Sequence, residues 1–315
     1  MKILFMGTPD FAAVCLDTLL AAGHEVAAVV TQPDRKKGRG MKVAFNDVKT
    51  YALAHGLPVY QPETLRDGAL LPLLDEIKPE LIAVVAYGKI LPEYVLSYPK
   101  YGCVNVHGSL LPRYRGAAPI QRAVLAGDAF TGVTTMLMDK GMDNGDMLFE
   151  ERVEIGENMT SGELFDVLAP IGGRLLVRTV DALAAGTVTP RPQAHELATY
   201  ADKITGEECL VDFSLPAADV HNRVRGLSPF PGAFCYLDGK ILKLYDSRVV
   251  RRDGVCGVPG EVSEASAGRV TVCCGSGAVS FERFKPEGKG MLSAADMVNG
   301  RKIAVGSVFS GKKKD

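Results

Sequence analysis

The run Leu81-Ile-Ala-Val-Val-Ala86 is apolar at every position, so an extended chain here would present hydrophobic surface on both faces. Such a strand must be covered above and below, which is the condition of a central strand in a parallel sheet. The preceding residues fit the same architecture. Lys2–Met6 is an apolar run closed by Gly7-Thr8-Pro9-Asp10, Phe11–Ala22 has helical apolar spacing that stops at Gly23, and Glu25–Val30 reads as the next strand. Strand, helix and strand in that order form a right-handed crossover. Helical patterns over Asn46–His55 and near Leu70–Ile77 lead into the 81–86 run, Cys103–His107 and Val133–Met138 continue the sheet, and Ser161–Ala185 is a long helix. The expected class is α/β with a mostly parallel sheet.

At 315 residues the chain exceeds a comfortable single core, and two domains are expected. The pattern decays between Thr187 and Thr205 into Pro190-Arg-Pro192 and polar residues, so residues 190–206 read as a linker between a domain at 1–189 and another at 207–315. Beyond it, one helix near Ala217–Val224 precedes short β segments at Phe234–Leu237, Ile241–Tyr245, Arg269–Cys273 and Ala278–Phe284. Asp-Gly, Pro-Gly and Gly-Ser-Gly turns separate them, as in a small antiparallel barrel. No apolar run approaches the ~20 residues of a spanning helix, and Met1-Lys2 leads directly into a strand rather than a cleavable signal. A cytoplasmic protein with no membrane contact is expected. The seven cysteines are odd in number and lack CxxC spacing, which predicts reduced thiols and no metal site. Net charge is −1, but residues 207–315 hold 16 Lys and Arg against 13 Asp and Glu, whereas residues 1–206 hold 20 against 24. That mild basic excess is compatible with a phosphate backbone and equally with a solvated surface.

The chemistry concentrates in Asn105-Val-His-Gly-Ser-Leu-Leu-Pro-Arg-Tyr-Arg-Gly-Ala-Ala-Pro-Ile120 and in Asp143. With a strand at Cys103–His107, the period of two puts Asn105 and His107 on one face and Val104 and Val106 on the other. The pair then sits at the carboxyl end of a strand, where open α/β sheets place ligands. An imidazole whose tautomer is fixed by a carboxylate, beside an amide donor whose charge does not change with pH, suits a reaction that develops charge on an oxygen. Taken singly, Asn105 reads as a strand-end cap, His107 as a satisfied core residue and Asp143 as part of an Asp-Asn-Gly turn. Together they read as one site. Ser109 lacks the G-x-S-x-G elbow of a nucleophile, which favours direct transfer without a covalent intermediate.

Two further motifs stay open on composition. Gly7-Thr8-Pro9-Asp10 lacks G-x-G-x-x-G, and Pro9 removes an amide donor, so a structural turn is favoured over a nicotinamide site. The segment Thr31–Lys42 carries Arg35, Lys36, Lys37, Arg39 and Lys42 around two glycines. It reads equally as a loop following RNA phosphates or as solvated surface.

The fragment NVHGSLLPRYRGAAPIQ, the opening GTPDFAA, the loop TQPDRKKGRG, the strand VVAYGKILP, the later MDKGMDNGDML and SPFPGAF at Ser228 together resemble the methionyl-tRNA formyltransferase family. The likeness is strong over residues 1 to about 150 and looser beyond. The resemblance implies a Rossmann-like formyltransferase domain followed by an OB-like β-barrel that helps hold tRNA; a monomer is expected. It implies formyl transfer from 10-formyltetrahydrofolate, without a metal, to methionyl-initiator tRNA. In that reading Asn105, His107 and Asp143 are catalytic. Ser109, Leu110, Leu111 and Pro112 meet the folate, while Arg35, Lys36, Lys37, Arg39 and Lys42 meet the tRNA. Formyl transfer to a small amine and a non-catalytic RNA-binding protein are the rival readings. The first has little use for an appended barrel, and the second requires no folate-dependent product.

Overall fold

A computed structural model describes residues 1–37 and 42–312 of the chain. In chain order the elements open with β1 (Lys2–Gly7), α1 (Asp10–Ala21), β2 (Glu25–Val30), β3 (Arg35–Lys37), β4 (Lys42–Ala44), α2 (Asp47–Ala54) and β5 (Val59–Tyr60). There follow α3 (Leu71–Ile77), β6 (Leu81–Val85), α4 (Glu93–Leu96), β7 (Cys103–His107), α5 (Pro119–Leu125), β8 (Phe130–Leu137), β9 (Met147–Glu154) and α6 (Ser161–Ala185). After two short 3-10 turns come α7 (Ala217–Gly226), β10 (Phe234–Leu237), β11 (Lys240–Arg251), β12 (Val262–Ala265), β13 (Val270–Cys273), β14 (Ala278–Pro286), β15 (Leu292–Ser293) and α8 (Ala294–Asn299). The chain divides into two compact units. The first comprises Met1–Pro119, Thr131–Val153 and Phe165–Ala201, and the second comprises Ile120–Phe130, Glu154–Leu164 and Asp202–Asp315.

The first unit is built on a seven-stranded sheet in the order β5-β2-β1-β6-β7-β8-β9. β5, β2, β1, β6 and β7 run parallel, and β8 returns antiparallel to β7. All five residues of β6 are buried, as a run apolar on both faces requires. One face packs Leu4, Met6, Ile82 and Val84 against Leu73, Leu74 and Ile77 of α3 and Val95 of α4. Each fully buried aliphatic side chain contributes roughly 1.5–3 kcal/mol. On the other face α6 comes so near the sheet that a Cβ added at Gly172 would stand 3.1 Å from both Phe11 and Val106. The edge-to-face pair Phe11–Phe165, 5.3 Å between centroids, seals the same layer. Strand order reverses between β1 and β6, so the carboxyl ends of β1, β6 and β7 line the crevice where sheets of this class bind ligands.

The second unit carries an antiparallel sheet ordered β10-β11-β14-β13-β12, with β15 paired to β14. Isolated bridges Leu210↔Phe234, Tyr236↔Ser310 and Glu261↔Val308 add further pairings around it. Its core centres on Phe213, Phe281, Phe284 and Phe309, whose rings meet at 6.1–6.5 Å. Here the cysteine expectation is corrected, because Cys256 and Cys273 form a disulfide with their Cα atoms 5.3 Å apart. The turn at residues 254–260 folds back on β13, a proximity that an odd cysteine count and the lack of CxxC cannot register. The other five cysteines are free and buried.

His221 of α7 is buried with both ring nitrogens engaged. Its Nε2 donates to the Glu157 carbonyl at 3.1 Å, so the ring is the neutral tautomer whose Nδ1 accepts from the Ser247 hydroxyl at 2.7 Å. Burial above all, with Arg225 and Arg248 assisting against the opposing pull of the Glu157 carbonyl, pushes its pKa down to about 4. The unfolded ring near 6.5 takes up a proton first, so stability from this group is complete above that pH and falls between about 6.5 and 4. The slope in that window approaches 1.4 kcal/mol per pH unit, and His221→Gln should flatten it in urea titrations. An unchanged slope would assign the loss to other groups.

Candidate active site at the end of the seventh strand

β7 carries the site because its neighbours fix its register. Asn105 lies opposite Val84 of β6 and Met136 of β8, and His107 lies opposite Thr134. Val104 and Val106 take the other face, and Val106 meets the α6 layer. Asn105 and His107 are both buried, at 8% and 5% exposure. The chain then leaves the strand through a loop tied to β8. The Thr134 hydroxyl donates to the Ser109 carbonyl at 2.7 Å, and the Leu111 amide donates to the Thr134 hydroxyl at 3.2 Å. Leu111-Pro112 is cis.

Asp143 completes the cluster expected from the sequence. The Asn105 Nδ2 group donates to Asp143 Oδ1 at 3.3 Å, the Gly116 amide donates to Oδ2 at 2.8 Å, and His107 Nδ1 lies 3.7 Å from Oδ2. His107 Nε2 is 2.8 Å from the Tyr114 carbonyl, which can only accept, so Nε2 carries a proton. The nitrogen left for chemistry is therefore Nδ1, the one that faces the carboxylate. Asn105 spends one N–H on Asp143 and has a second to offer.

Among the other expected contacts, Ser109 is fully buried with its hydroxyl donating to the Arg113 carbonyl at 2.6 Å, and Leu111 is nearly as enclosed. Leu110 and Pro112 keep part of their surface exposed. The basic segment Thr31–Lys42 contains a two-stranded ribbon in which Arg35 pairs with Ala44, Lys36 with Val43 and Lys37 with Lys42. Arg35 is exposed. Arg39 lies outside the described residues. Among those residues, no group of three His, Cys, Asp or Glu side chains is placed to hold a metal.

Two features of the site were not apparent in the sequence. The base of the ribbon is pinned by a polar cluster. Lys49 Nζ donates to Asp34 at 2.5 Å and to Gln61 Oε1 at 2.7 Å, while Asn46 caps α2 through Lys49 N and accepts from Thr31. The Lys49 ammonium, first among the causes, holds the Asp34 carboxyl below its usual range. The second feature is the stretch expected as a linker, of which residues 191–201 belong to the first unit. Arg191 exchanges backbone hydrogen bonds with Met147, and Arg115 does so with Thr199 and Ala201, while Gln193 is 4% exposed.

The whole chain has relatives of known name. Residues 1–180 match the formyl transferase family model, and residues 203–302 match the model of the formyl transferase C-terminal domain. A protein named methionyl-tRNA formyltransferase from Pelotomaculum thermopropionicum is 44% identical over 309 residues, 98% of each chain. Another of that name, from Caldanaerobacter subterraneus subsp. tengcongensis, is 45% identical over 310 residues, 98% of this chain and all of the relative. Among solved structures, an N-formyltransferase from Helicobacter canadensis in complex with folinic acid and dTDP-3-aminofucose superimposes with a TM-score of 0.67 at 18% identity, covering 89% of this chain and 98% of that one.

Gly116, whose amide holds Asp143, is closely enclosed. Its φ is +119° and an added Cβ would stand 3.0 Å from the Ala201 carbonyl. Gly116→Ala should therefore lower stability by about 1–3 kcal/mol, read as a shifted urea midpoint. A midpoint equal to that of the parent would mean that the loop relaxes without cost.

Proposed function

The chain belongs to the formyl transferase family, and from that membership we infer that it transfers the formyl group of 10-formyltetrahydrofolate to the α-amino group of methionyl-initiator tRNA. The product is formylmethionyl-tRNA, used to start translation. The observation that carries this reading is end-to-end similarity above 40% identity to proteins of that name. The Helicobacter canadensis enzyme shares the fold at far lower identity. A mechanism built on Asn105, His107 and Asp143 is our own reading, supported by their convergence at the end of β7.

In that mechanism the neutral amine of the methionyl group attacks the formyl carbon, forming a C–N bond and placing negative charge on the formyl oxygen. The second N–H of Asn105 and the Nδ1–H of protonated His107 stabilise that oxyanion. Asp143 faces the same Nδ1, so it keeps the imidazolium charged and accepts the amine proton, directly or through a water. Collapse of the tetrahedral carbon breaks its bond to N10 of the folate, which leaves with the proton that Asp143 took from the amine. Donors aimed at an oxyanion are each worth on the order of a hundredfold in rate. Leu110 and Pro112, partly exposed, offer apolar surface to the folate, and Ser109 and Leu111 support them from inside the loop.

The basic ribbon and the C-terminal unit take the tRNA in this proposal. We propose that residues 1–189 carry the catalytic site, that 190–206 lead onward while staying packed on the first unit as far as Ala201, and that 207–315 fold as an OB-like barrel with a mild basic excess. In this reading Arg35, Lys36, Lys37, Arg39 and Lys42 meet the phosphates of the tRNA. Initiator tRNA and the folate are the partners of a cytoplasmic enzyme.

Asp143→Asn should lower kcat for formylation of methionyl-tRNA by a hundredfold or more while folate binding stays within a few-fold. Normal turnover by that variant would remove Asp143 from the mechanism. Arg39→Ala should raise KM for methionyl-tRNA, leave KM for the folate unchanged and reduce the salt slope of binding by about one unit. Equal effects on both substrates would take the ribbon out of tRNA binding.

A further inference from the structure

We propose that Gln193 is the positioning residue of Asp143, and that residues 191–201 act as a strap setting the place of this carboxylate. The inference rests on the catalytic reading of Asp143 given above. Gln193 Nε2 donates to the Asp143 carbonyl at 2.9 Å and to the Gly145 carbonyl at 2.8 Å. Its Oε1 accepts from Arg115 Nε at 3.1 Å and from Arg115 Nη2 at 2.6 Å. Both N–H groups and both lone pairs of the amide are thereby used. The amide has one orientation only, since a flip would oppose carbonyl to carbonyl and N–H to N–H. Gln193 and Arg115 are both 4% exposed, so the bonds lie away from competing water.

The same strap holds the other end of Asp143. The Arg115 amide donates to the Thr199 carbonyl at 2.8 Å, and the Ala201 amide donates to the Arg115 carbonyl at 2.7 Å. These bonds fix the peptide whose next N–H, from Gly116, grips Asp143 Oδ2. Asp143 itself has φ +49°, a conformation that L residues other than Asn and Asp rarely adopt and that its surroundings must maintain. Gln193 touches the backbone on both sides of Asn144, the segment that sustains it. No bond from Gln193 reaches the reacting groups, so its influence passes through Asp143.

The test measures Gln193→Met, close in shape but without hydrogen bonds, and Gln193→Glu, which keeps the acceptor toward Arg115 and loses the donors toward 143 and 145. Each is assayed for formylation alone and combined with Asp143→Asn, with melting temperature recorded. Both single variants should lose ten- to a hundredfold in kcat, with KM for 10-formyltetrahydrofolate and methionyl-tRNA within about twofold. In the Asp143→Asn background the same changes should cost less than threefold, because the carboxylate they position is gone. A slow Asp143→Asn enzyme with unaffected Gln193 variants would overturn the positioning role and leave the catalytic reading standing. Losses that multiply in full in the double variants, or that follow melting temperature, would likewise overturn it. Normal turnover by Asp143→Asn alone would overturn the catalytic reading instead.

Discussion

The carboxylate of Asp143 is the fixed point of the polar cluster at the end of β7. Two donors converge on it, the Asn105 amide and the Gly116 N–H, and His107 Nδ1 lies 3.7 Å away. Each would be an ordinary polar group without it. A buried imidazolium is costly unless an anion lies close, and an amide donor at a strand end has no preferred direction until something accepts from it. Asp143 supplies both the counter-charge and the direction. The parallel sheet supplies the place, since strand order reverses between β1 and β6 and β7 lies next to β6, with its carboxyl end on the side where sheets of this class bind ligands.

The two most buried histidines with both ring nitrogens placed show how environment divides one side chain between tasks. His107 and His221 are 5% and 3% exposed, and each directs Nε2 at a backbone carbonyl, Tyr114 O in one case and Glu157 O in the other. The difference lies at Nδ1. In His107 it faces a carboxylate, and in His221 it faces a hydroxyl with Arg225 and Arg248 nearby. The environment of His221 favours a ring that stays neutral. His221 therefore holds residue 157 to α7 and β11.

Much of the architecture was legible because it rests on periodicity. The all-apolar β6, the alternation along β7, the helical spacing of α1 and α6 and the turn-bounded strands after Phe234 all carry patterns that burial imposes. The grouping of Asn105 and His107 was legible for a related reason, since period two alone puts them on one face. The short elements escaped. β5 and β15 have two residues each, and the β3–β4 ribbon has three per strand, lengths at which no pattern can build up. The Lys49, Asp34, Gln61 and Asn46 cluster escaped as well, because it joins side chains of α2, its N-cap and two separate loops through direction rather than spacing. The Cys256–Cys273 pairing belongs to the same class, a contact between a turn and a strand.

Residues 190–201 show most plainly why irregular chain is hard to read. Prolines, polar residues and no apolar period are the marks of a free connection, and they are equally the marks of chain whose partners are loops. A buried backbone must place every N–H and C=O somewhere, and a segment without helix or strand must place them one at a time. Here they go to Met147, to Arg115 and to Ala118, while the Gln193 side chain uses all four of its bonding positions. The result is a segment whose order comes from hydrogen bonds alone, with almost no contribution from apolar burial. Hydrogen bonds fix direction more tightly than dispersion contacts do, and a carboxylate that must sit within a fraction of an ångström of its partners calls for that kind of support.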